Sequence, residues 1–208
     1  MKLTELFKKK VCTLSFEVFP PKTQDNFDVV SSAAMSIAQL SPDFMSVTYG
    51  AGGSTAKYTV EIAKSILDKG ITPLAHLTCV CSTKESIKEK LSELKANGIE
   101  NILALRGDIP AGTQPQSWDF KYASELVSFI KEQGDFCVGG ACYPEKHVES
   151  LSEKDDLRYL KHKVECGCDF LTTQMFFDND LFYKYLLRVR SAGIMVPVIP
   201  GIMPVTNG

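Results

Sequence analysis

Short, nearly continuous apolar runs alternate along the chain with longer segments whose apolar residues recur at helical spacing. The apolar runs predict seven strands, at residues 11–18, 44–49, 72–79, 101–105, 136–142, 169–174 and 196–199. Strands of this continuity are typical of a sheet that is buried on both faces. The intervening segments predict amphipathic helices, among them 24–40, 54–69, 83–97 and 179–192.

A repeated boundary supports this division of the chain. Helical segments end at Gly70, Gly98, Gly134, Gly167 and Gly193, and a β-branched or apolar run follows each glycine. Glycine is favoured just past a helix because it adopts the left-handed conformation without steric cost. The helix–glycine–strand unit recurs with a period of about 30 residues, as expected for a repeated supersecondary unit.

Alternating β and α units predict an α/β fold with a parallel sheet and right-handed crossovers. Two architectures compete, a doubly wound open sheet and a (β/α)8 TIM barrel. A doubly wound nucleotide-binding sheet needs a glycine-rich turn after its first strand, but residues 19–23 contain no glycine. A barrel instead spreads its polar residues over many strand ends. We therefore predict a single barrel domain over residues 1–208.

Polar residues stand at the ends of most predicted strands. In a barrel the carboxyl ends of all strands meet at one mouth, which is where active sites form. We therefore predict a functional site from the residues at these ends, namely Glu17, Thr48, Tyr49, His76, Thr78, Arg106, Gly107, Asp108, Tyr143, Glu145, Thr172, Thr173 and Gln174.

Glu17 is the most informative of these residues, because it lies in an apolar run where burial is expected. A buried carboxylate must be paired, neutral or functional. A structural alternative stands beside each functional interpretation. Glu17 could be paired with a Lys or Arg or simply be exposed, and His76 could be a core histidine. Arg106 and Asp108 could form a local ion pair of little energetic value.

Composition narrows the classes of function. The chain has 208 residues, of which 44% are hydrophobic and 23% are charged, and its formal net charge is −2. The absence of a basic stripe argues against a nucleic-acid partner, and no apolar run has the length of a membrane span. The lysine-rich segment 1–10 is not followed by the apolar core of a signal peptide. We therefore predict a solvated first helix there.

The seven cysteines predict a reduced, cytoplasmic protein, since no signal peptide accompanies them. Two Cys-x-Cys pairs, Cys79 with Cys81 and Cys166 with Cys168, are spaced more tightly than the usual zinc ligands. Free cysteines are often buried as small apolar residues. We therefore predict that the chain holds no metal.

Five stretches together resemble the methylenetetrahydrofolate reductase family. They are residues 15–21 (SFEVFPP), 46–51 (SVTYGA), 76–79 (HLTC), 104–108 (ALRGD) and 199–205 (IPGIMPV). The resemblance runs in order through essentially the whole chain. It implies a flavin-containing (β/α)8 barrel that reduces 5,10-methylenetetrahydrofolate to 5-methyltetrahydrofolate, with NADH or NADPH as the hydride donor. The alternatives are a non-catalytic chain that binds flavin or folate and a non-redox TIM-barrel lyase.

The resemblance also implies the cofactor and the partners. FAD is the implied flavin, with FMN as the less favoured alternative. The chain is expected to form a homo-oligomer, and an electron-transfer partner protein is left open. The family continues through a further helix, an eighth strand and a last helix, whereas this sequence ends at Gly208. We therefore expect a barrel that stops after strand seven, as part of a longer polypeptide.

Roles for single residues follow from the resemblance. Glu17 is the implied acid that protonates the departing N10 of the folate, and a carboxyl at an apolar strand end suits that task. Asp108 is the second catalytic candidate and, with Gln174, a substrate-binding one. The implied cofactor contacts are Thr48, Tyr49, Ala51, His76, Arg106, Gly107, Asp108, Tyr122, Ala123, Tyr143, His147, Ser150, Asp156, Tyr159, His162 and Lys163.

Two of these positions depart from the family pattern. Tyr159 and His162 stand where the family usually has an Asn and an Arg that contact the dinucleotide. A neutral His binds a diphosphate less strongly than Arg, which is always charged and presents a planar fork of donors. This departure is the reason that FMN stays open beside FAD.

Overall fold

The centre of the fold is one sheet of seven parallel strands, which follow one another in the order β1 to β7. The computed structural model describes residues 1–21, 23–49, 56–109 and 118–205. The strands are β1 Ser15–Val18, β2 Phe44–Val47, β3 Thr72–Thr78, β4 Asn101–Leu105, β5 Cys137–Cys142, β6 Phe170–Thr173 and β7 Val198–Ile199. Sequential, all-parallel order confirms the predicted α/β barrel, in a form that stops after strand seven.

Helices alternate with the strands. They are α1 Leu3–Lys9, α2 Phe27–Ala38, α3 Ala56–Asp68, α4 Lys84–Ala96, α5 Ala123–Gln133, α6 Glu153–Glu165 and α7 Asn179–Ser191. A 3₁₀ turn at Gln24–Asn26 leads into α2. None of the helices within the described ranges is both long and apolar enough to cross a membrane.

The predicted boundaries hold closely with two exceptions. The first strand begins at Ser15 and not at residue 11, because Val11 and Leu14 are exposed and face no partner strand. The left-handed glycine expected after each helix is present at four of the five sites, with φ between 74° and 119°. Gly134 instead has φ 163°, which is extended backbone.

Residues alternate between two apolar layers along the strands, as the period of two requires. One set of side chains points outward and packs under the helices, for example Val47, Ala75 and Ile102. The other set points into the barrel, where Leu74 and Phe170 belong to a separate apolar cluster. Of the inner-face polar side chains, Glu17, Ser46 and His76 lie toward the carboxyl ends of their strands, beyond these apolar residues.

Helix α1 closes the amino-terminal end of the barrel. Its Leu3 and Leu6 are 0% and 5% exposed and belong to the inner apolar cluster. The ring of Phe7 makes edge contacts with Phe44 and Phe170, at centroid distances of 6.1 and 5.6 Å. The prediction of a solvated helix was therefore wrong for the face of α1 that carries these residues. The lysines made α1 look fully solvated, although its apolar residues form a short stripe.

Asn101 ties α1 to the sheet. This residue is 1% exposed at the start of β4. Its Oδ1 accepts a hydrogen bond from the backbone N–H of Leu3 at 2.8 Å, and its Nδ2 donates to the carbonyls of Met1 and Pro73 at 3.1 Å each. One buried amide therefore satisfies three backbone groups that the barrel end would otherwise leave without partners.

We predict that Asn101→Ala lowers the free energy of unfolding by roughly 2–3 kcal/mol, because buried backbone groups lose their partners. Urea denaturation of the purified protein measures the loss. The matched control is Asn97→Ala, which removes an exposed amide at the end of α4 and should change stability by about 0.5 kcal/mol or less. Equal effects of the two substitutions would contradict the anchoring role.

Candidate active site

Three side chains from neighbouring strands meet at the carboxyl end of β1, β2 and β3. Glu17 pairs in register with Ser46, and Ser46 pairs with Leu74, two residues before His76. Leu74 and His76 share the inner face of β3. Ser46 Oγ donates a hydrogen bond to Glu17 Oε2 at 3.3 Å, and His76 Nε2 lies 3.6 Å from the same oxygen.

The environment of this group shifts two pKa values in opposite directions. The expected burial of Glu17 was wrong, because its side chain is 43% exposed at the rim of the sheet. The partial burial that remains raises the pKa of the Glu17 carboxyl, and the hydrogen bond from Ser46 opposes that rise. Burial lowers the pKa of His76 to about 4. Burial acts in this way because it disfavours the charged form of each group. At neutral pH His76 is therefore a neutral imidazole beside a carboxyl that is easier to protonate than usual.

Arg106, at the end of β4, is held by the loop that follows β5. Its two terminal nitrogens donate to the two carboxylate oxygens of Glu149, at 2.6 Å each. This fork raises the pKa of Arg106 and lowers the pKa of Glu149. The suggested ion pair between Arg106 and Asp108 does not occur, and the carboxylate of Asp108 is exposed and forms no ion pair within the described ranges.

Gly107 is required by its surroundings for two reasons. Its φ is 85°, a conformation that a side chain strains, and a Cβ there would lie 2.8 Å from Val80 Cγ1 and 3.0 Å from Thr78 Cβ. The backbone between Arg106 and Asp108 is therefore packed directly on the end of β3.

The loop between β5 and α6 is held by hydrogen bonds within the loop and to Asp156 on α6. Asp156 accepts hydrogen bonds from the backbone N–H of His147 and from Ser150 Oγ, at 3.2 and 2.7 Å. His147 Nδ1 accepts from the backbone N–H of Glu149 at 3.1 Å, and its ring meets that of Tyr143 edge-on at 4.7 Å. These contacts fix the orientation of the His147 imidazole beside Arg106 and Glu149.

Three further predicted cofactor contacts lie on α6. The ammonium of Lys163 donates to the carbonyl of Ala141 at 2.5 Å, and burial lowers the pKa of this lysine. Tyr159 is 58% exposed, with the Arg158 guanidinium 4.9 Å from its ring centre. His162 is exposed as well, and its Nε2 lies 3.7 Å from Cys166 Sγ. None of these three makes a recorded contact with the Glu17 group in the part of the chain that the structure describes.

The side chain of Tyr49 lies on the outer side of the sheet. Its ring packs against the outer apolar cluster, with Lys90 Nζ 5.1 Å from the ring centre. Burial raises the pKa of its hydroxyl to about 12. Only the backbone of Tyr49 is therefore available to the inner face of the barrel at this point.

The remaining predicted positions are placed by their backbones. Thr48 continues the ladder of β2, since its N–H donates to the carbonyl of Val18 at 2.9 Å. Tyr122 is half exposed just before Ala123, the first residue of α5. Gln174 follows β6 with an exposed side chain, and its N–H donates to the carbonyl of Cys142 at 2.8 Å. Ala51 lies outside the described residues.

A comparison with protein-family models identifies the family of this barrel. The family model described as Methylenetetrahydrofolate reductase matches residues 2–208. The chain belongs to this family. The resemblance of its five sequence stretches is thereby confirmed over nearly the full length.

Relatives of this methylenetetrahydrofolate reductase family chain come from bacteria, plants and yeast. The 5,10-methylenetetrahydrofolate reductase of Escherichia coli (strain K12) is 41% identical over 93% of this chain and 65% of that protein. The corresponding protein of Pectobacterium carotovorum is 40% identical over 93% of this chain and 64% of its own. A rice protein named as a probable methylenetetrahydrofolate reductase (NADH) is 39% identical over 93% of this chain and 35% of that protein. The chain therefore spans less than two thirds of the length of these relatives.

Solved structures show the same fold at low sequence identity. An uncharacterized Clostridium thermocellum protein, described as binding two copies of 5-methyl-5,6,7,8-tetrahydrofolic acid, has a TM-score of 0.67 and 14% identity over 96% of this chain and 69% of its own. Oxaloacetate acetylhydrolase in complex with 3,3-difluorooxalacetate has a TM-score of 0.64 and 12% identity, over 99% of this chain and 73% of that protein. At such identities the likeness concerns the barrel fold alone.

Two residues of the site were missed from the sequence. Ser46 lies in the stretch that carried the resemblance, and its alternation with Phe44 and Thr48 could have placed it on the inner face. Glu149 stands in a charged loop and carries no signal that would single it out. No group of three or more His, Cys, Asp or Glu side chains is arranged for a metal ion within the described ranges.

The neutrality of His76 makes stability depend on pH. The unfolded chain binds a proton at this residue near pH 6.5, whereas the folded protein does so only near pH 4. We predict that the free energy of unfolding falls as the pH drops through this interval, by roughly 3 kcal/mol for this one group. Urea denaturation between pH 4 and 7 measures the slope. The His76→Gln variant should show a flatter profile, and equal slopes for both proteins would contradict the assignment.

Proposed function

We propose that this chain acts in the reduction of 5,10-methylenetetrahydrofolate to 5-methyltetrahydrofolate, with a flavin and a reduced nicotinamide. Family membership supports the reaction class, and the names of the curated relatives support the folate substrate. The observation that carries the proposal is Glu17, a carboxyl with a raised pKa at the mouth of the barrel. A mouth of this fold is where barrel enzymes hold their substrates.

The folate must be activated before it can be reduced. Opening its five-membered ring gives the 5-iminium cation, and the departing N10 needs a proton. A carboxylic acid with a raised pKa is suited to donate that proton near neutral pH. Glu17 is the acid that the fold places at this mouth with partial burial and without a cationic partner. In this proposal Glu17 holds the proton and delivers it to N10.

Asp108 is proposed for a different task. Its exposed carboxylate at the end of β4 forms no ion pair with the described residues, since Glu149 occupies the fork of Arg106. A carboxylate without a partner can offset the positive charge of the iminium cation. Gln174, exposed at the end of β6, is proposed to orient the folate by hydrogen bonding.

The residues of the mouth fit a flat cofactor ring. Gly107 leaves the end of β4 without a side chain, and Asp108 beside it is exposed. The Nε2 atom of His76 faces Glu17, so His76 would meet the ring through the rest of its imidazole. His76, Arg106, Gly107 and Asp108 would hold the ring, with backbone groups at Thr48 and Tyr49. A bound flavin would supply the redox chemistry between the nicotinamide and the folate.

The rest of a dinucleotide would meet the side of the mouth formed after β5. Tyr143, His147 and the loop around Glu149 are prearranged there by internal hydrogen bonds. Lys163 is engaged with the carbonyl of Ala141, and Tyr159 and His162 lie exposed on α6. We propose FAD as the flavin, with FMN as the alternative, and NADH or NADPH as the donor of reducing equivalents.

The proposal is tested with purified protein. An absorption spectrum with a flavin band, bleached by NADH or NADPH under anaerobic conditions and restored by methylenetetrahydrofolate, would support it. The formation of 5-methyltetrahydrofolate in proportion to the nicotinamide oxidised measures turnover. A protein that binds flavin and folate without turnover would be a non-catalytic binding chain and would contradict the proposal. The absence of a flavin band after reconstitution would favour a non-redox barrel enzyme.

We predict that Glu17→Gln abolishes folate reduction and spares nicotinamide oxidation with an artificial electron acceptor. The amide keeps the size of the side chain but has no acidic proton for N10. Stopped-flow absorbance measures the two half-reactions separately. If both fell equally, Glu17 would serve the structure and not the acid step.

We predict that Asp108→Asn raises the flavin midpoint potential, because reduction places negative charge near a carboxylate that the variant lacks. The gain is on the order of 1 kcal/mol, about 20 mV for two electrons, at an effective dielectric constant typical of a protein surface. The same variant should slow the folate step, since the iminium cation loses its counter-charge. Potentiometric titration and single-turnover kinetics measure the two effects. A lowered potential, or an unchanged folate step, would remove Asp108 from the mechanism.

A further inference from the structure

The imidazole of His76 faces the carboxyl of Glu17. Its Nε2 is buried and has no hydrogen-bond partner among the described residues, and it lies 3.6 Å from Glu17 Oε2. A buried polar atom without a partner is rare, because its desolvation is not compensated. His76 is 7% exposed, whereas the Glu17 side chain is 43% exposed. The glutamate is thus the partner with room to move.

The contacts of Glu17 are distributed unequally between its two carboxyl oxygens. Ser46 Oγ donates to Oε2, and His76 Nε2 faces Oε2 as well. Oε1 takes part in no hydrogen bond with any residue in the described ranges, and the side chain as a whole is 43% exposed. The contacts from β2 and β3 therefore involve Oε2 alone, and Oε1 is available to a ligand.

We propose that His76 is a positioning residue for Glu17, with its neutral Nε2–H donating to Oε2 beside Ser46 so that the transferable proton resides on Oε1. This inference rests on the proposed role of Glu17 as the acid. At 3.6 Å the contact is just longer than a hydrogen bond. Because the Glu17 side chain is 43% exposed and has room to move, we expect it to close this gap in solution without a ligand.

The direction of this hydrogen bond follows from what an acid must do. If Nε2 accepted the proton of Glu17, that proton would point into the barrel wall and away from a substrate. If His76 were an imidazolium, it would hold Glu17 in its ionised form. A neutral donor avoids both outcomes, and it stabilises the carboxylate that remains after the proton has left.

The electrostatic surroundings leave this role to His76. It is the one ionisable group within ion-pair distance of the Glu17 carboxyl among residues 1–21, 23–49, 56–109 and 118–205. Arg106, directly after β4, is engaged by Glu149. On the neighbouring β2 the contact is the hydroxyl of Ser46, which carries no charge. Burial of His76 keeps its imidazole neutral, since its pKa is lowered to about 4.

The test measures the protonation of Glu17 directly, in flavin-free protein without substrate. The ¹³C signal of the Glu17 carboxyl, assigned by its absence in Glu17→Gln, is followed by NMR against pH. We expect His76→Phe to move the titration midpoint upward by about one pH unit, because the carboxylate loses a donor. His76→Gln keeps an N–H donor and should restore a midpoint close to that of the wild type.

A matched control comes from the same strand. Thr78 is buried on the same face of β3 as His76 and has no recorded contact with Glu17. We expect Thr78→Val to leave the Glu17 midpoint unchanged. An unchanged midpoint in His76→Phe would overturn the inference, and so would a lowered midpoint, which would show that Nε2 accepts the proton of Glu17.

A second measurement needs no substitution at His76 and covers the case in which His76→Phe does not fold. The ¹⁵N shifts of the His76 ring in the wild-type protein distinguish a protonated Nε2 from an unprotonated one. We expect a protonated Nε2 in a neutral ring, and an unprotonated Nε2 would overturn the inference. A shifted Glu17 midpoint in a protein without folate turnover would support the donor assignment and contradict the proposed function alone.

Discussion

The register of three parallel strands is the constraint on which the candidate site depends. Glu17 and Ser46 are paired across β1 and β2, and the next pair, Ser46 with Leu74, leaves His76 two residues further along β3. Because alternate residues share a face, the stagger brings these three polar side chains to one point at the carboxyl end of the sheet. A shift of one residue in any of these pairings would turn a polar group outward under the helices.

The same sheet creates the environment that tunes these groups. Its amino-terminal end is filled by apolar side chains and closed by α1, which Asn101 holds through three buried hydrogen bonds. The polar residues therefore stand directly above an apolar interior. Burial there raises the pKa of Glu17 and lowers the pKa of His76, because it disfavours the charged form of each group. Packing at one end of the barrel thus supports the proposed acid chemistry at the other.

The sequence predicted the architecture because the strands are buried on both faces and each helix ends in a recognisable way. It predicted less where tertiary contacts decide. Leu3 and Leu6 looked like part of a solvated helix, yet they fill the barrel end. Glu149 engages Arg106 from a charged loop 43 residues away, which no local pattern reveals. The outward side chain of Tyr49 follows from alternation along β2, although both its place at a strand end and the resemblance had put that residue at the mouth.

The most direct test of the account is the pH dependence of the single-turnover rate at which methylenetetrahydrofolate reoxidises the reduced flavoprotein. If Glu17 supplies the proton to N10, the rate should be constant at low pH and fall by about tenfold per pH unit above the pKa of Glu17. Partial burial raises that pKa above its ordinary value, so the rate should begin to fall at a higher pH than it would for a fully exposed glutamate. A rate that is independent of pH, or an identical profile in Glu17→Gln, would contradict the account.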